Sequence, residues 1–156
     1  MRRSLMILVF ACVLATLVLP ATASASTWVV RSTSGTKMGT VATAGSRKCN
    51  VFDPSGVKWG TISWLADENN YVAGMWLDGD TGLEKFARLK PSGSAWSISP
   101  EFPYAYGRAA KRNHHWMVTT TSNGRVRGRM ALSCPGWVAA GAVFILSTDW
   151  SKRSEY

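Results

Sequence analysis

Three arginines that alternate with small or apolar residues are the part of the chain best suited to chemistry. Arg125, Arg127 and Arg129 are separated by single residues, and in a regular β-strand this spacing puts all three guanidinium groups on one face. Groups of like charge this close repel one another unless water or an anion compensates them. Guanidinium groups bind phosphate and carboxylate through paired hydrogen bonds. The spacing predicts an anion-binding face, with a solvated edge strand protected from aggregation by its charges as the alternative.

The charge distribution extends this prediction to neighbouring residues. The chain has 18 Lys and Arg against 9 Asp and Glu, a net charge of +9. Acidic residues are absent between Phe102 and Thr148, whereas residues 26–101 are nearly balanced. Such an imbalance indicates an anionic partner. The predicted anion-binding residues are all basic and lie in this acid-free segment: Arg108, Lys111, Arg112, Arg125, Arg127 and Arg129.

Several partners and functions fit this basic face. An anionic polymer or surface fits best, such as teichoic acid, an acidic polysaccharide or phospholipid headgroups, and nucleic acid is less favoured. The alternative function is a secreted protein-binding effector, such as an inhibitor or toxin. A secreted hydrolase is less favoured, because the chain has neither a G-x-S-x-G nor an H-E-x-x-H motif. We therefore expect a non-enzymatic binding protein without a cofactor.

Two other groups of polar residues could bind a metal, and neither has the right spacing. His114 and His115 are adjacent, so a strand would point them to opposite faces. Asp78, Asp80 and Glu84 are spaced like part of a calcium loop, but the remaining oxygen ligands of such a loop are missing. We expect no metal site and interpret the acidic segment as a turn.

The first 25 residues have the pattern of a secretory signal peptide. Arg2 and Arg3 precede an apolar run over residues 5–19, and residues 23–25 form the small-x-small sequence that signal peptidase recognises. We predict cleavage before Ser26 and a secreted or extracytoplasmic protein. After the leader is removed, we expect no transmembrane segment, since no apolar run is long enough to span a bilayer.

The cysteines suggest a disulfide in that compartment. Cys12 belongs to the predicted leader, so Cys49 and Cys134 are the two that remain. Two cysteines in an oxidising compartment most simply pair with each other. The alternative is a pair of reduced, buried thiols.

A repeated hairpin predicts the fold class. Residues 30–41 and 51–62 share the pattern V-x-x-x-S-G-x-K-M/W-G-T-V/I, and looser copies follow at residues 90–97 and 118–130. Serine and glycine at the centre of each copy favour a tight turn, and the flanks are rich in strand formers. The second glycine, as in Gly39 and Gly60, permits a bulge or a close backbone approach. We predict a single all-β domain over residues 26–147, with a polar tail over 148–156.

About nine or ten short antiparallel strands follow from the spacing of the turns, as in a barrel or a sandwich. The hairpins also resemble the glycine-punctuated units of the bacterial β-flower proteins, best over residues 30–62. That resemblance implies hairpins arranged around a pseudo-symmetry axis and assigns no functional residue.

The secondary structure of two further segments can be considered separately. Residues 137–146 form the most apolar stretch after the leader, and we predict a central strand buried on both faces. Residues 104–111 are the one place where the sequence is compatible with a short helix.

Overall fold

Ten antiparallel strands form a closed barrel around one helix. The computed structural model describes residues 25–76, 83–100, 107–120 and 124–148. Each strand pairs with its neighbours in the chain, and the first pairs with the tenth to close the barrel. This confirms the all-β prediction and selects the barrel. The elements are β1 (Thr27–Arg31), β2 (Lys37–Gly45), β3 (Lys48–Phe52), β4 (Lys58–Leu65), β5 (Asn70–Trp76), β6 (Leu83–Ser92), β7 (Ala95–Pro100), β8 (Gly107–Arg112), β9 (His115–Thr120), β10 (Val126–Ala131) and α1 (Gly136–Ser147).

The two best copies of the repeat fold as matching hairpins. The β1–β2 and β3–β4 turns are closed by the same two backbone hydrogen bonds, of 2.9 and 3.1 Å in each turn. Gly35 and Gly56 occupy the same turn position with φ of +90° and +93°, a conformation that side chains other than hydrogen disfavour. The pairing register also shifts at the same place in both hairpins, next to Val30 and next to Val51. The sequence repeat is therefore a structural repeat.

The helix α1 occupies the inside of the barrel and contacts every strand. Its residues from Val138 to Ile145 are all buried, so no face of the helix is exposed over this stretch. The prediction of a strand over residues 137–146 is wrong. Because β1 pairs with β10 at Arg31 and Arg129, the ten described strands form a closed wall. Eight strands already enclose a space that side chains alone can fill, and the wider ten-stranded wall leaves room for an alanine-rich helix.

The second glycine of the repeat lets the helix approach the wall. Gly39, Gly60 and Gly128 all face α1, and a Cβ atom built on any of them would lie 2.7 to 3.0 Å from a helix side chain. Distances of this size are tighter than nine in ten real Cβ contacts. The predicted close approach at these positions is found, and its partner is the central helix.

Aromatic side chains pack around the start of α1. Trp137, in the first turn of the helix, stacks on Tyr71 with ring centroids 4.1 Å apart. Trp64 and Trp96 contact Tyr71 edge-on, at 4.9 and 5.9 Å. Such offset and edge-on pairs are the favoured geometries of aromatic rings. This cluster packs the beginning of α1 against β4, β5 and β7.

One predicted element differs from the structure, and several predicted segments lie outside the described residues. The short helix considered for residues 104–111 is not found from Gly107 onward, where β8 runs; residues 104–106 are outside the described residues. The leader up to residue 24, Asp78 and Asp80 of the acidic segment, and residues 149–156 of the tail are also outside them. Among the described residues, no helix has the length and apolarity needed to cross a membrane.

The predicted Cys49–Cys134 disulfide is not found. Both residues are free thiols, with 1 % and 3 % of their surface exposed. Cys49 points into the barrel from β3 and Cys134 precedes α1, so both belong to the apolar core. The two thiols are near enough that the charge of Cys49 contributes to the raised pKa of Cys134, so they are neighbours in the core without being bonded. The structure has the alternative, two reduced and buried thiols.

These thiols should be unreactive in the folded protein. Burial raises the pKa of Cys49 to about 11 and that of Cys134 to about 12, from 9.0. The nucleophile is the thiolate, so we expect a thiol reagent at pH 8 to label neither residue before the protein unfolds. In denaturant without reductant, a chain that starts at Ser26 should release two thiol equivalents. Immediate native labelling, or no thiols after denaturation, would contradict this arrangement.

Candidate functional site

A row of three basic residues crosses the place where the barrel closes. Arg129 of β10 is the register partner of Arg31 of β1, and Arg31 is in turn the partner of Lys37 of β2. Like charges placed directly opposite each other destabilise a sheet. Among the described residues, no acidic side chain forms an ion pair with Arg31 or Arg129. We call the joint between β1 and β10 the seam.

The two arginines converge on the turn between β1 and β2. Arg31 Nη1 donates a hydrogen bond of 2.9 Å to the carbonyl oxygen of Gly35. Arg129 Nη2 lies 3.3 Å from the point where a Cβ atom on Gly35 would stand. Two guanidinium groups therefore share one small region of the surface, and each raises the electrostatic potential at the other.

Arg129 is only partly hydrated. The residue is half-buried, and its Nε is shielded from solvent without a hydrogen-bond partner in the described part of the chain. A buried donor left unsatisfied costs about 1–3 kcal/mol. A guanidinium group that has already lost part of its water gains more from an anion than a fully solvated one does.

A pocket of about 300 Å³ adjoins this pair of arginines. Arg31 and Arg129 are the one register pair between β1 and β10 among the described residues, and the pocket lies along the rest of the seam. Its lining combines cationic and polar groups with an apolar wall. The lining residues are Thr27, Trp28, Val29, Arg31, His115, Arg129, Met130, Ala131 and Ser133.

His115 contributes an oriented imidazole to this lining. Its Nδ1 lies 2.8 Å from the carbonyl oxygen of Asn113. A carbonyl oxygen can only accept, so Nδ1 carries the proton and Nε2 is the nitrogen left for another partner. Asn113 and His114 have φ of 45° and 61° and form the β8–β9 turn, so His114 is a turn residue and not part of a strand. His115 therefore lines the pocket, whereas His114 belongs to the turn.

The predicted residues on β8 do not all share one face. Arg108 and Arg112 are exposed and lie an even number of positions apart on β8, so their side chains leave the outer face of the wall. Lys111 is the register partner of Trp116, which faces the interior. Its ammonium group lies 5.3 Å from the centre of the Trp116 ring, a cation–π distance. Lys111 therefore sits over the end of the barrel.

The predicted alternation of Arg125, Arg127 and Arg129 is interrupted. Arg125 precedes β10, and the register between β10 and β9 shifts between Val126 and Gly128. Arg127 falls within this bulge. Since a bulge adds a residue to one strand, side chains on its two sides do not keep a regular two-residue alternation. Arg125 lies on the far side of the bulge, whereas Arg127 and Arg129 alternate with the buried Gly128 and Met130 and so leave the same outer face. Arg129 is the member that lines the pocket.

Arg31 was missed by reasoning from charge alone, because it lies in the balanced half of the chain. A different signal in the sequence marks it. The hairpin repeat has Phe52 at the position of Arg31, and it has Thr40 and Thr61 where the last copy has Arg129. The repeat folds without arginine at either position, so both residues are departures that the hairpin itself does not require.

Comparisons of the chain with protein-family models, with curated proteins and with solved structures give no match. Among the described residues, no group of three or more His, Cys, Asp or Glu side chains is placed to hold a metal ion.

Proposed function

We propose that this chain is an exported, non-enzymatic barrel protein that binds an anionic partner at or near the cell envelope through the outer face around the seam. The binding residues are Arg31, Arg129 and Lys37, with Arg127 on the same strand as Arg129, and Arg108 and Arg112 on β8, beyond β9. The partner is an anionic polymer or surface. Export is proposed from the leader pattern, and β1 begins at Thr27, the second residue after the proposed cleavage point.

The observation that carries this proposal is the opposed pair Arg31 and Arg129. The pair closes the barrel, yet its charges oppose that closure. Arg129 also has a buried Nε without an acceptor among the described residues. Residues that destabilise the β1–β10 pairing are expected where selection for binding has outweighed selection for stability. An anion bound between the two guanidinium groups would relieve both costs.

Retention on a polyanion tests the proposal. We expect the double variant Arg31→Gln, Arg129→Gln to elute from heparin or polyphosphate resin at lower salt than the unchanged protein. Each lost contact removes counterion release, so the slope of log affinity against log salt should become shallower by about 1.4 to 1.8. Thermal melting should show equal or slightly higher stability, because a like-charge repulsion is removed.

A matched control removes the same charge elsewhere. Lys48 and Lys90 are exposed residues of β3 and β6, away from the seam, and the variant Lys48→Gln, Lys90→Gln should elute close to the unchanged protein. Equal shifts for both double variants would show that net charge alone governs retention and would refute the proposed face. The same secreted preparation should give Ser26 as its first residue on N-terminal sequencing; a retained leader would refute the proposed export.

A further inference from the structure

We infer that the pocket at the seam binds a single phosphate monoester group carried on a small apolar body, such as one end group or headgroup of the anionic partner. This inference rests on the proposed function and makes it specific. The face as a whole would attract a polyanion, while the pocket would recognise one unit of it.

The charge in the pocket suits a dianion better than a single negative charge. Arg31 and Arg129 both line it, and each offers several donors in a planar array. A phosphate monoester has about −1.5 to −2 charge at neutral pH and three acceptor oxygens. Ser133 adds a hydroxyl donor. His115 also lines the pocket, and the bond from its Nδ1 to the carbonyl oxygen of Asn113 fixes the orientation of its ring.

The apolar side of the pocket defines the rest of the ligand. Trp28, Val29, Met130 and Ala131 are lining residues, and Val29 is 38 % exposed. Trp28 and Met130 belong to strand faces directed into the barrel, so the pocket reaches past the outer surface of the wall. Free inorganic phosphate would leave this apolar wall in water, whereas an ester with an apolar group would cover it.

The size of the pocket allows one small group and no more. A closed cavity of about 150 Å³ accepts a benzene ring, so a pocket of about 300 Å³ has room for a ring and its phosphate. Small-molecule sites begin at about this volume. A polymer backbone cannot be enclosed there, but its end or a side group can.

Binding of phenyl phosphate tests the inference directly. We expect calorimetric titration to show phenyl phosphate binding about tenfold more tightly than inorganic phosphate, because the ring covers the apolar wall. Arg129→Gln should weaken phenyl phosphate by about tenfold or more, since a charge-assisted hydrogen bond is lost. Lys48→Gln, Lys90→Gln should leave it unchanged.

A steric variant separates the pocket from the surrounding charge. Ala131 is exposed and lines the pocket at the end of β10, so Ala131→Phe would fill it without removing a charge. Phenyl phosphate binding should be lost, while retention on polyphosphate resin should persist, and a thermal melt checks that the variant folds.

The possible outcomes distinguish the two proposals. If polyphosphate is retained but phenyl phosphate does not bind, or binds Ala131→Phe equally well, the pocket inference is wrong and the basic face survives. If neither ligand binds the unchanged protein, both proposals are wrong. If inorganic phosphate binds as tightly as phenyl phosphate, the apolar wall has no part in recognition and the inference is overturned.

Discussion

Gly39→Ala is expected to destabilise the barrel by about 3 kcal/mol or more, because a single methyl group has no room at this position. A Cβ on Gly39 would clash with the carbonyl oxygen of Phe52 and lie 2.7 Å from Cδ1 of Leu146. The leucine can move, but the carbonyl belongs to β3, where Phe52 pairs with Thr40. Relief of the clash would therefore separate β2 from β3.

The same strand provides the control. Gly45 also lies in β2, and a Cβ there would have its nearest neighbour, the Cβ of Lys48, at 3.9 Å. Gly45→Ala should change the free energy of unfolding by less than about 0.5 kcal/mol. Urea denaturation of both variants measures the difference. Similar stabilities for the two would mean that the backbone of β3 and Leu146 of α1 do not approach Gly39 this closely.

Gly39 and Gly60 show how much of the fold the sequence could predict. The repeat marks Gly39 and Gly60 as special, and the register shifts and turn glycines follow from local chemistry, so the hairpins were accessible from the pattern. The pattern does not name the partner that approaches Gly39. Of the two neighbours of Gly39, Phe52 of β3 is close in sequence, whereas Leu146 of α1 is distant and comes near only when the barrel is closed.

The central helix was not predictable from periodicity. Residues 137–146 are apolar at almost every position, and a uniformly apolar run fits a buried strand as well as a buried helix. The choice depends on whether the wall has a free edge, which is a property of the β1–β10 pairing. Alanine favours a helix by intrinsic propensity, and the segment contains Ala139, Ala140 and Ala142. The strand-rich sequence that precedes it nevertheless favours the interpretation as a strand.

The candidate site was only partly predictable for a related reason. Arg129 was identified from local charge, whereas Arg31 lies 98 positions earlier in the chain and meets it through the closing pair. Arg129 therefore belongs to a row of basic residues that crosses three strands, with Arg31 and Lys37, and not only to the expected row along β10. Long-range register and local irregularity decide such sites, and neither is visible in composition.

Ala140→Asp is expected to unfold the protein or come close to it, because the middle of α1 offers no route to water. Ala140 and its neighbours Ala139 and Ala142 have no exposed surface, although they point in different directions around the helix. An uncompensated charge in such a place costs several kcal/mol, against a total stability of about 5–15 kcal/mol for an ordinary domain. Circular dichroism during heating should show a large fall in the melting temperature.

The end of the same helix gives the matched comparison. Ser147, the last residue of α1, is partly exposed, and Ser147→Asp places the same charge where water can reach it. Its cost should be about 0.3–1 kcal/mol, from the negative end of the helix dipole. Because Ala139, Ala140 and Ala142 lie on different sides of the helix, aspartate at each should be similarly damaging. Tolerance at any one of them, with a melting temperature near that of Ser147→Asp, would mean that one side of α1 is open to solvent and that the helix does not fill the barrel.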